Sequence, residues 1–321
     1  MYNEQIKCEY LEDYFSRTTS KTALADREVF QNKFERLSNE IEIPLNKDLC
    51  QLTREEVIHS FGKILPPKRS SANGLLSLAR VYSQWCCDNN KLGCESNPFF
   101  NVQLKDLDGW QPGSDLLKNE AMLSEILDKV LAPVNMDTVD NLYRPIYYLL
   151  FYGFTLSEIV ALQIPDLDVE KQCVRHPATN TWVKIPQNVV KLLLYIRRMD
   201  SGYMKIRNGY LWSKQLYGDE YLIKRCSQTR VGYEKFLFDK TSKLERLVKK
   251  EGYTIRFTVF AIMQSGIFSR IYQREMEDGT LDMSEFVNFR LRDGTVHNSS
   301  LVEAYKVGRD EYAGWKKNYQ L

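Results

Sequence analysis

The residues of this chain that can do chemistry are cations at particular spacings. Tyr253-Thr-Ile-Arg256 leads into the apolar run IRFTVFAIM. A lone guanidinium there must face an anion or pair with a carboxylate. Earlier, Lys68 and Arg69 precede Ser70, Ser71 and Asn73, where Ser70 or Ser71 is predicted to cap a helix. A helix start offers free backbone N–H groups to a phosphate, and short polar side chains add donors. Arg80 lies three residues after Ser77 and seven after Asn73, so the three share a helix face. Arginine and asparagine on one face can read guanine and adenine edges in a major groove. Leu76, Leu78, Val81 and Trp85 are expected to face the core. A solvated loop and a surface salt bridge are the ordinary alternatives for these cations.

Over the full 321 residues the cations are masked by anions, 44 Lys and Arg against 42 Asp and Glu. Their distribution is uneven. From Lys184 to Arg256 there are 17 Lys and Arg but 7 Asp and Glu, an excess of +10 over 73 residues. Such a local excess can neutralise a polyanion even in a balanced chain. Within it, Lys184, Lys224, Arg225 and Arg230 are expected at a phosphate backbone. Lys243, Arg246, Lys249 and Lys250 form a stripe expected to be solvated.

Other chemistries find less support. The seven cysteines have no CxxC spacing and the three histidines are scattered, so a zinc site is not expected and the thiols are read as reduced. No metal, nucleotide or other cofactor is called for. The longest apolar runs, near Tyr147–Phe154 and Val189–Ile196, are too short to cross a bilayer. The opening MYNEQIKCEYLEDYF is acidic and amphipathic, unlike a signal peptide. These features point to the cytoplasm and away from a membrane.

The elements that must carry the cations are mainly helical. Glu4–Arg17, Leu24–Ile41 and Thr53–Ile64 show apolar residues at three- and four-residue spacing, and Thr53-Arg-Glu-Glu56 is a capping box. A fourth helix follows ILPPKRSSANG and ends before Gly93, with Asn97-Pro98 marking its exit. These four make a small bundle, residues 1–105. A linker is expected over 106–115, within QLKDLDGWQPGSD. A second, larger domain over 116–321 has predicted helices at Leu116–Leu131 and Val139–Tyr152. KQCVRH and TWVKIP alternate around PATN, a predicted β-hairpin. Helices follow at Val189–Arg198, Ser242–Glu251 and Thr254–Ser265. FVNFRLRDGTVHNSS, with its Asp-Gly pair, reads as a second hairpin, and Leu301–Tyr319 closes the chain as a helix. The fold class is mainly α with small β-hairpins, in two domains.

Two stretches resemble the tyrosine recombinase (phage integrase) family. Ser70–Phe99 is similar to the last helix of that family's core-binding domain and the Asn-Pro exit after it. GFTLSEIVALQIPDLDVE is similar to its G-x-R-x-x-E-x-x-x-L-x-x-x-D motif, with Gly153, Glu158, Leu162 and Asp166 in place. The hairpin that follows fits the family's order of elements. The resemblance implies a two-domain clamp on double-stranded DNA, with two arginines, a hairpin lysine, two His-type positions and a nucleophilic tyrosine. In this chain the first arginine is Thr155, and Thr155-Leu-Ser-Glu158 reads as a capping box. The hairpin lysine is expected near Arg175–Asn180, where Arg175 and His176 stand but no lysine; Lys184 lies further along. In the H-x-x-R motif, Tyr253 replaces the histidine and Arg256 remains. His297 aligns with the late histidine and Tyr305 with the nucleophile, Tyr312 and Tyr319 competing.

A hydroxyl cannot supply the fork of donors that arginine gives a phosphate. The resemblance with its set broken therefore implies a protein that is not an enzyme. It is most similar to the SPβ-type prophage master repressors, recombinases turned into transcriptional repressors that keep a phage dormant in a bacterial host. Arg256 and His297 are then expected near phosphate, and the aromatic, basic tail either packs on its own domain or joins a homo-oligomer. An active, divergent recombinase is the alternative. An accessory protein without DNA affinity is a third reading.

Overall fold

A computed structural model of the chain describes residues 1–17, 23–131, 138–205, 211–227, 232–292 and 300–321. It contains two compact units, Met1–Ser114 and Asp115–Leu321.

The first unit is helical. It comprises α1 (Glu4–Ser16), α2 (Ala23–Leu37), a π-turn at Ser38–Glu42 running into the single turn α3 (Ile43–Leu45), α4 (Arg54–Ile64) and α5 (Arg69–Asp88). Thr53 caps α4 as its sequence predicts: its hydroxyl accepts from the Glu56 amide at 3.1 Å, and its amide donates to Glu56 Oε2 at 2.8 Å. Ser70 and Ser71 are not caps. α5 begins one residue earlier, with Lys68 at its N-cap. An aromatic cluster of Tyr10, Phe34 and Tyr82, ring centroids 5.2–5.8 Å apart, joins α1, α2 and α5.

Beside it lies a fully buried charge cluster. Lys7 Nζ donates to Glu42 Oε1 at 2.8 Å and Asp48 Oδ2 at 3.2 Å. The Tyr82 hydroxyl donates to Asp48 and the Leu49 amide to Glu42 Oε1, while Glu42 Oε2 has no hydrogen-bond partner among the described residues. Such charges are tolerated inside only when paired and bonded.

Residues 104–113 fold onto the first unit. Leu104 and Leu107 are buried, Asp108 N donates to Ile58 O at 3.0 Å, and Trp110 Nε1 to Pro66 O at 3.1 Å. Gly62 permits this: a Cβ there would lie 1.8 Å from the Asp108 carbonyl oxygen. One cysteine expectation is corrected. Cys87 and Cys94 form a disulfide, because the chain turns back after α5 and brings their Cα atoms to 4.8 Å. The other five form no disulfide.

The second unit runs α6 (Glu120–Val130), α7 (Arg144–Phe151), α8 (Leu156–Ala161), β1 (Leu167–Asp168), β2 (Cys173–His176), β3 (Thr181–Lys184) and α9 (Gln187–Arg198). There follow β4 (Ser201–Lys205), β5 (Leu211–Gln215), α10 (Tyr233–Lys250), α11 (Val259–Asp278), α12 (Ser284–Arg292) and α13 (Leu301–Tyr319). β1, β2 and β3 form an antiparallel sheet in that order, and β4 and β5 a separate two-stranded ribbon. The predicted hairpin is therefore present, pairing Cys173 with Lys184 and His176 with Thr181.

Every residue of α7 is buried. α11 crosses it at Gly266, where a Cβ would stand 1.7 Å from the Phe151 carbonyl oxygen. Arg270 Nη1 donates to that same carbonyl at 2.7 Å, satisfying the end of α7.

Three expectations fail here. The second hairpin is α12: Phe286, Val287 and Phe289 bury a helical face, and the Asp-Gly pair lies outside the described residues. The apolar helix starts at Val259, capped by Thr258, so Arg256 precedes it. The ribbon β4–β5 was not anticipated, because SGYMK and LWSKQ lack a clean apolar alternation.

Two outcomes follow. Gly266→Ala is expected to lower the stability of the second unit by about 2 kcal/mol in denaturant unfolding, since overpacking against backbone outweighs alanine's helix preference. In the first unit, burial pushes the Glu42 carboxyl up to about 7, against the pull of Lys7. The folded state then holds a proton the unfolded chain releases. The associated stability is present below the ordinary glutamate pKa of 4.5 and is lost as pH rises through about 7. The slope is about 1 kcal/mol per pH unit at most, and Glu42→Gln is expected to flatten it.

Candidate functional site

The turn after α7 uses Gly153 at φ +94° to leave the helix. Thr155 then caps α8. Its hydroxyl accepts from the Glu158 amide at 3.3 Å, and its amide donates to Glu158 Oε2 at 2.7 Å. Glu158 also has His176 Nε2 at 3.6 Å and Arg292 Nη1 at 3.7 Å. His176 is buried and stacks on Phe154, centroids 4.8 Å apart. A cavity of about 240 Å³ adjoins this group, with Thr155 and Arg292 at its polar side and Phe238, Phe260, Met263 and Phe289 among its apolar walls. Glu234 also lines it. The guanidinium here is Arg292, from a helix the sequence reading took for a hairpin.

The other expected positions are engaged elsewhere. Arg256 Nη2 donates to Asp115 Oδ1 at 3.2 Å and its amide to Asp115 O at 2.7 Å. The alternative of a carboxylate partner is thus realised at one guanidinium nitrogen, while the buried Arg256 Nε has no hydrogen-bond partner among the described residues. Asp115 precedes Arg256 by 141 positions, so no local pattern could reveal the pair. The Tyr253 hydroxyl donates to Glu125 Oε1 at 2.8 Å, with the Lys129 ammonium 5.0 Å from its ring centroid. The Tyr305 hydroxyl accepts from the Met283 amide at 3.3 Å. Tyr312 donates to Glu275 at 2.6 Å and Tyr319 to Leu116 O at 2.5 Å. Burial and the Glu275 hydrogen bond raise the Tyr312 phenol, and burial pushes Tyr319 up to about 12. Arg175 pairs with Asp166 at 2.5 Å, while Lys184 is exposed on β3. His297 and Arg230 lie outside the described residues.

The tail packs on its own unit. Trp315 is buried and its indole donates to Leu117 O at 2.9 Å.

Lys224 was expected at a DNA backbone but is 3 % exposed. Its ammonium donates to Met199 O at 2.9 Å and neutralises Asp219 at 2.8 Å and Asp200 at 3.6 Å. It is a structural lysine. Arg225 is half-buried, donating to Ser227 O at 3.1 Å and lying over the Tyr221 ring.

In the first unit, Lys68, Ser70, Ser71, Asn73 and Ser77 are exposed and Arg69 is half-buried. Arg80 departs from this face as a reader. Its guanidinium donates to Phe99 O at 3.1 Å and Val102 O at 2.5 Å, and Asn97 Nδ2 returns a bond to the Arg80 carbonyl at 3.0 Å. The Asn-Pro exit brings these carbonyls back to the helix, which spacing within α5 could not show. Val81, expected in the core, is 44 % exposed.

A buried donor set, Asp48, Cys50 and Cys86, lies within 4.8 Å. The Lys7 ammonium already meets Asp48, so the place of a cation is taken. No described helix is long and apolar enough to cross a membrane.

Residues 1–88 match the family described as MrpR, N-terminal core-binding domain. No curated protein matches the chain in sequence. Among solved structures, XerA recombinase is 15 % identical over 95 % of this chain and 98 % of its own, with a TM-score of 0.37. The integrase of mycobacterium phage Brujita is 9 % identical over 98 % and 92 %, at 0.35. A lambda integrase dimer bound to a COC' core site is 11 % identical over 94 % of each chain, also at 0.35.

Truncating the two re-assigned arginine contacts tests these assignments. Arg80→Ala is expected to destabilise the first unit by about 1–2 kcal/mol, through two lost charge-assisted bonds. Asp115→Asn is expected to cost the second unit a similar amount by leaving Arg256 short of its partner. Thermal or urea unfolding of the full chain checks both.

Proposed function

We propose that this chain is a sequence-specific DNA-binding protein, a transcriptional repressor that maintains prophage dormancy on a tyrosine-recombinase-like scaffold without strand-exchange chemistry. The observation that carries this reading is the fate of the two arginine positions. One is Thr155, spent on a helix cap, and the other, Arg256, is bonded to Asp115. Stabilising a phosphoryl transition state requires preorganised cations aimed at the phosphate. Loss of one such donor costs roughly two to three orders of magnitude in rate, and members of a set fail together.

The tyrosines give the same indication. A nucleophilic phenol must shed its proton; burial and the hydrogen bond to Glu275 raise that of Tyr312, and burial with the nearby Asp115 charge raises that of Tyr319. The match of residues 1–88 to a core-binding domain supports DNA as the partner. So do the exposed Lys68, Ser70, Ser71, Asn73 and Ser77 on α5, together with Lys184. Phosphate contacts need only such exposed cations and donors, and they survive the loss of catalysis.

The test is a mobility-shift series on operator-containing prophage fragments across salt, paired with a search for a covalent protein–DNA adduct. Site-selective, salt-sensitive shifts without an adduct are expected. An adduct that vanishes on Tyr305→Phe would replace the repressor with an active recombinase. No shift at any salt concentration would remove DNA as the partner.

A further inference from the structure

The ribbon β4–β5 carries two exposed aromatic residues of the second unit. At its base it is well held. Gly202 packs against Val139, where a Cβ would come within 3.2 Å, and Leu216 N donates to Asp200 O at 2.9 Å. Beyond the base, Trp212 is 63 % and Tyr203 47 % exposed, and Ser213, Lys214 and Gln215 are exposed. Among the described residues, no hydrogen bond, ring contact or ion pair engages the side chains of Trp212, Lys214 or Tyr203. A two-stranded ribbon is marginal alone, so anchoring one and leaving its aromatic residues bare calls for a reason.

Three features identify what covers it. Trp212 and Lys214 are two residues apart on one strand, so they share a face. The same Trp-x-Lys arrangement recurs on β3, where Trp182 and Lys184 are both exposed. The two carboxylates at the ribbon's base, Asp200 and Asp219, lie 3.6 and 2.8 Å from buried Lys224, and among the described residues Lys214 forms no ion pair. The ribbon also lies inside the stretch carrying the +10 excess.

We infer that the β4–β5 ribbon is a duplex-DNA contact made by the face that carries Trp212 and Lys214, with Lys214 meeting a phosphate and Trp212 lying against sugar or base edges; Tyr203, paired with Ser213, lies on the other face. The inference rests on the DNA-binding reading above. A two-stranded ribbon fits the major groove, about 12 Å wide, where an ammonium meets backbone phosphate and an apolar ring can pack against base edges and the thymine methyl.

The experiment compares the full chain with Trp212→Ala, Trp212→Phe and Lys214→Ala by mobility shift across salt. Unfolding midpoints are measured in parallel. Trp212→Ala is expected to weaken binding about tenfold, with Trp212→Phe restoring most of it. Lys214→Ala is expected to lower the salt slope by about one ion. Midpoints should stay at the wild-type value, since both side chains are exposed. Wild-type binding with unchanged affinity and slope in the variants would overturn the ribbon contact alone. Absence of DNA binding by the wild type would overturn both readings.

Discussion

The crossing of α7 and α11 at Gly266 is the constraint on which the second unit depends. A glycine lets the backbone of one helix touch the last carbonyl of the other, and Arg270 closes the remaining polar gap at Phe151. Close backbone approach fixes the two helices as a rigid pair, because there is no side chain whose rotamer can absorb a shift. From that pair hang Gly153 and Thr155 at the end of one helix and Arg256 and Thr258 at the start of the other. The positions that resemble a catalytic set are therefore held by the core, whatever chemistry their side chains still offer.

What those side chains do is bond to their own protein. Thr155 caps, Arg256 pairs with Asp115, Tyr253 with Glu125, and Tyr319 with the Leu116 carbonyl. Three of these tie the α10–α11 connection and α13 to the stretch that runs from Asp115 into α6. Groups that would have to face a phosphate instead close the unit on itself. Arg292 lines the cavity beside Thr155, and Glu158 stands 3.7 Å from it. Stability has been drawn from residues whose types would otherwise suggest reactivity.

The first unit follows a similar logic at Lys7, Glu42 and Asp48. Apolar packing around Tyr10, Phe34 and Tyr82 surrounds a polar centre of one ammonium against two carboxylates and a phenol, in which Glu42 Oε2 has no hydrogen-bond partner among the described residues. Arg80 is used in the same way at the rim, pinning the returning loop through two carbonyls. Exposed polar residues on α5 are thereby separated from the arginine that shares their helical spacing. The surface left for a partner is made of short donors and Lys68.

Local patterns in the sequence determined much. The capping boxes at Thr53 and Thr155, the PATN hairpin, the helices at both ends of the chain and the basic stretch from Lys184 to Arg256 were all legible, because each rests on neighbours within a few residues. Helix starts that needed a tertiary stop were misplaced, as at Val259, and FVNFRLR was misread because alternation and a helical face look alike over seven residues. Only the folded chain could decide the partners. Asp115 reaches Arg256 across 141 positions, Trp315 reaches Leu117 across 198, and Phe99 reaches Arg80 across 19. A charge declares its type in the sequence. Whether it faces solvent, a ligand or a carboxylate of its own chain is set by long-range packing, which composition and spacing do not encode.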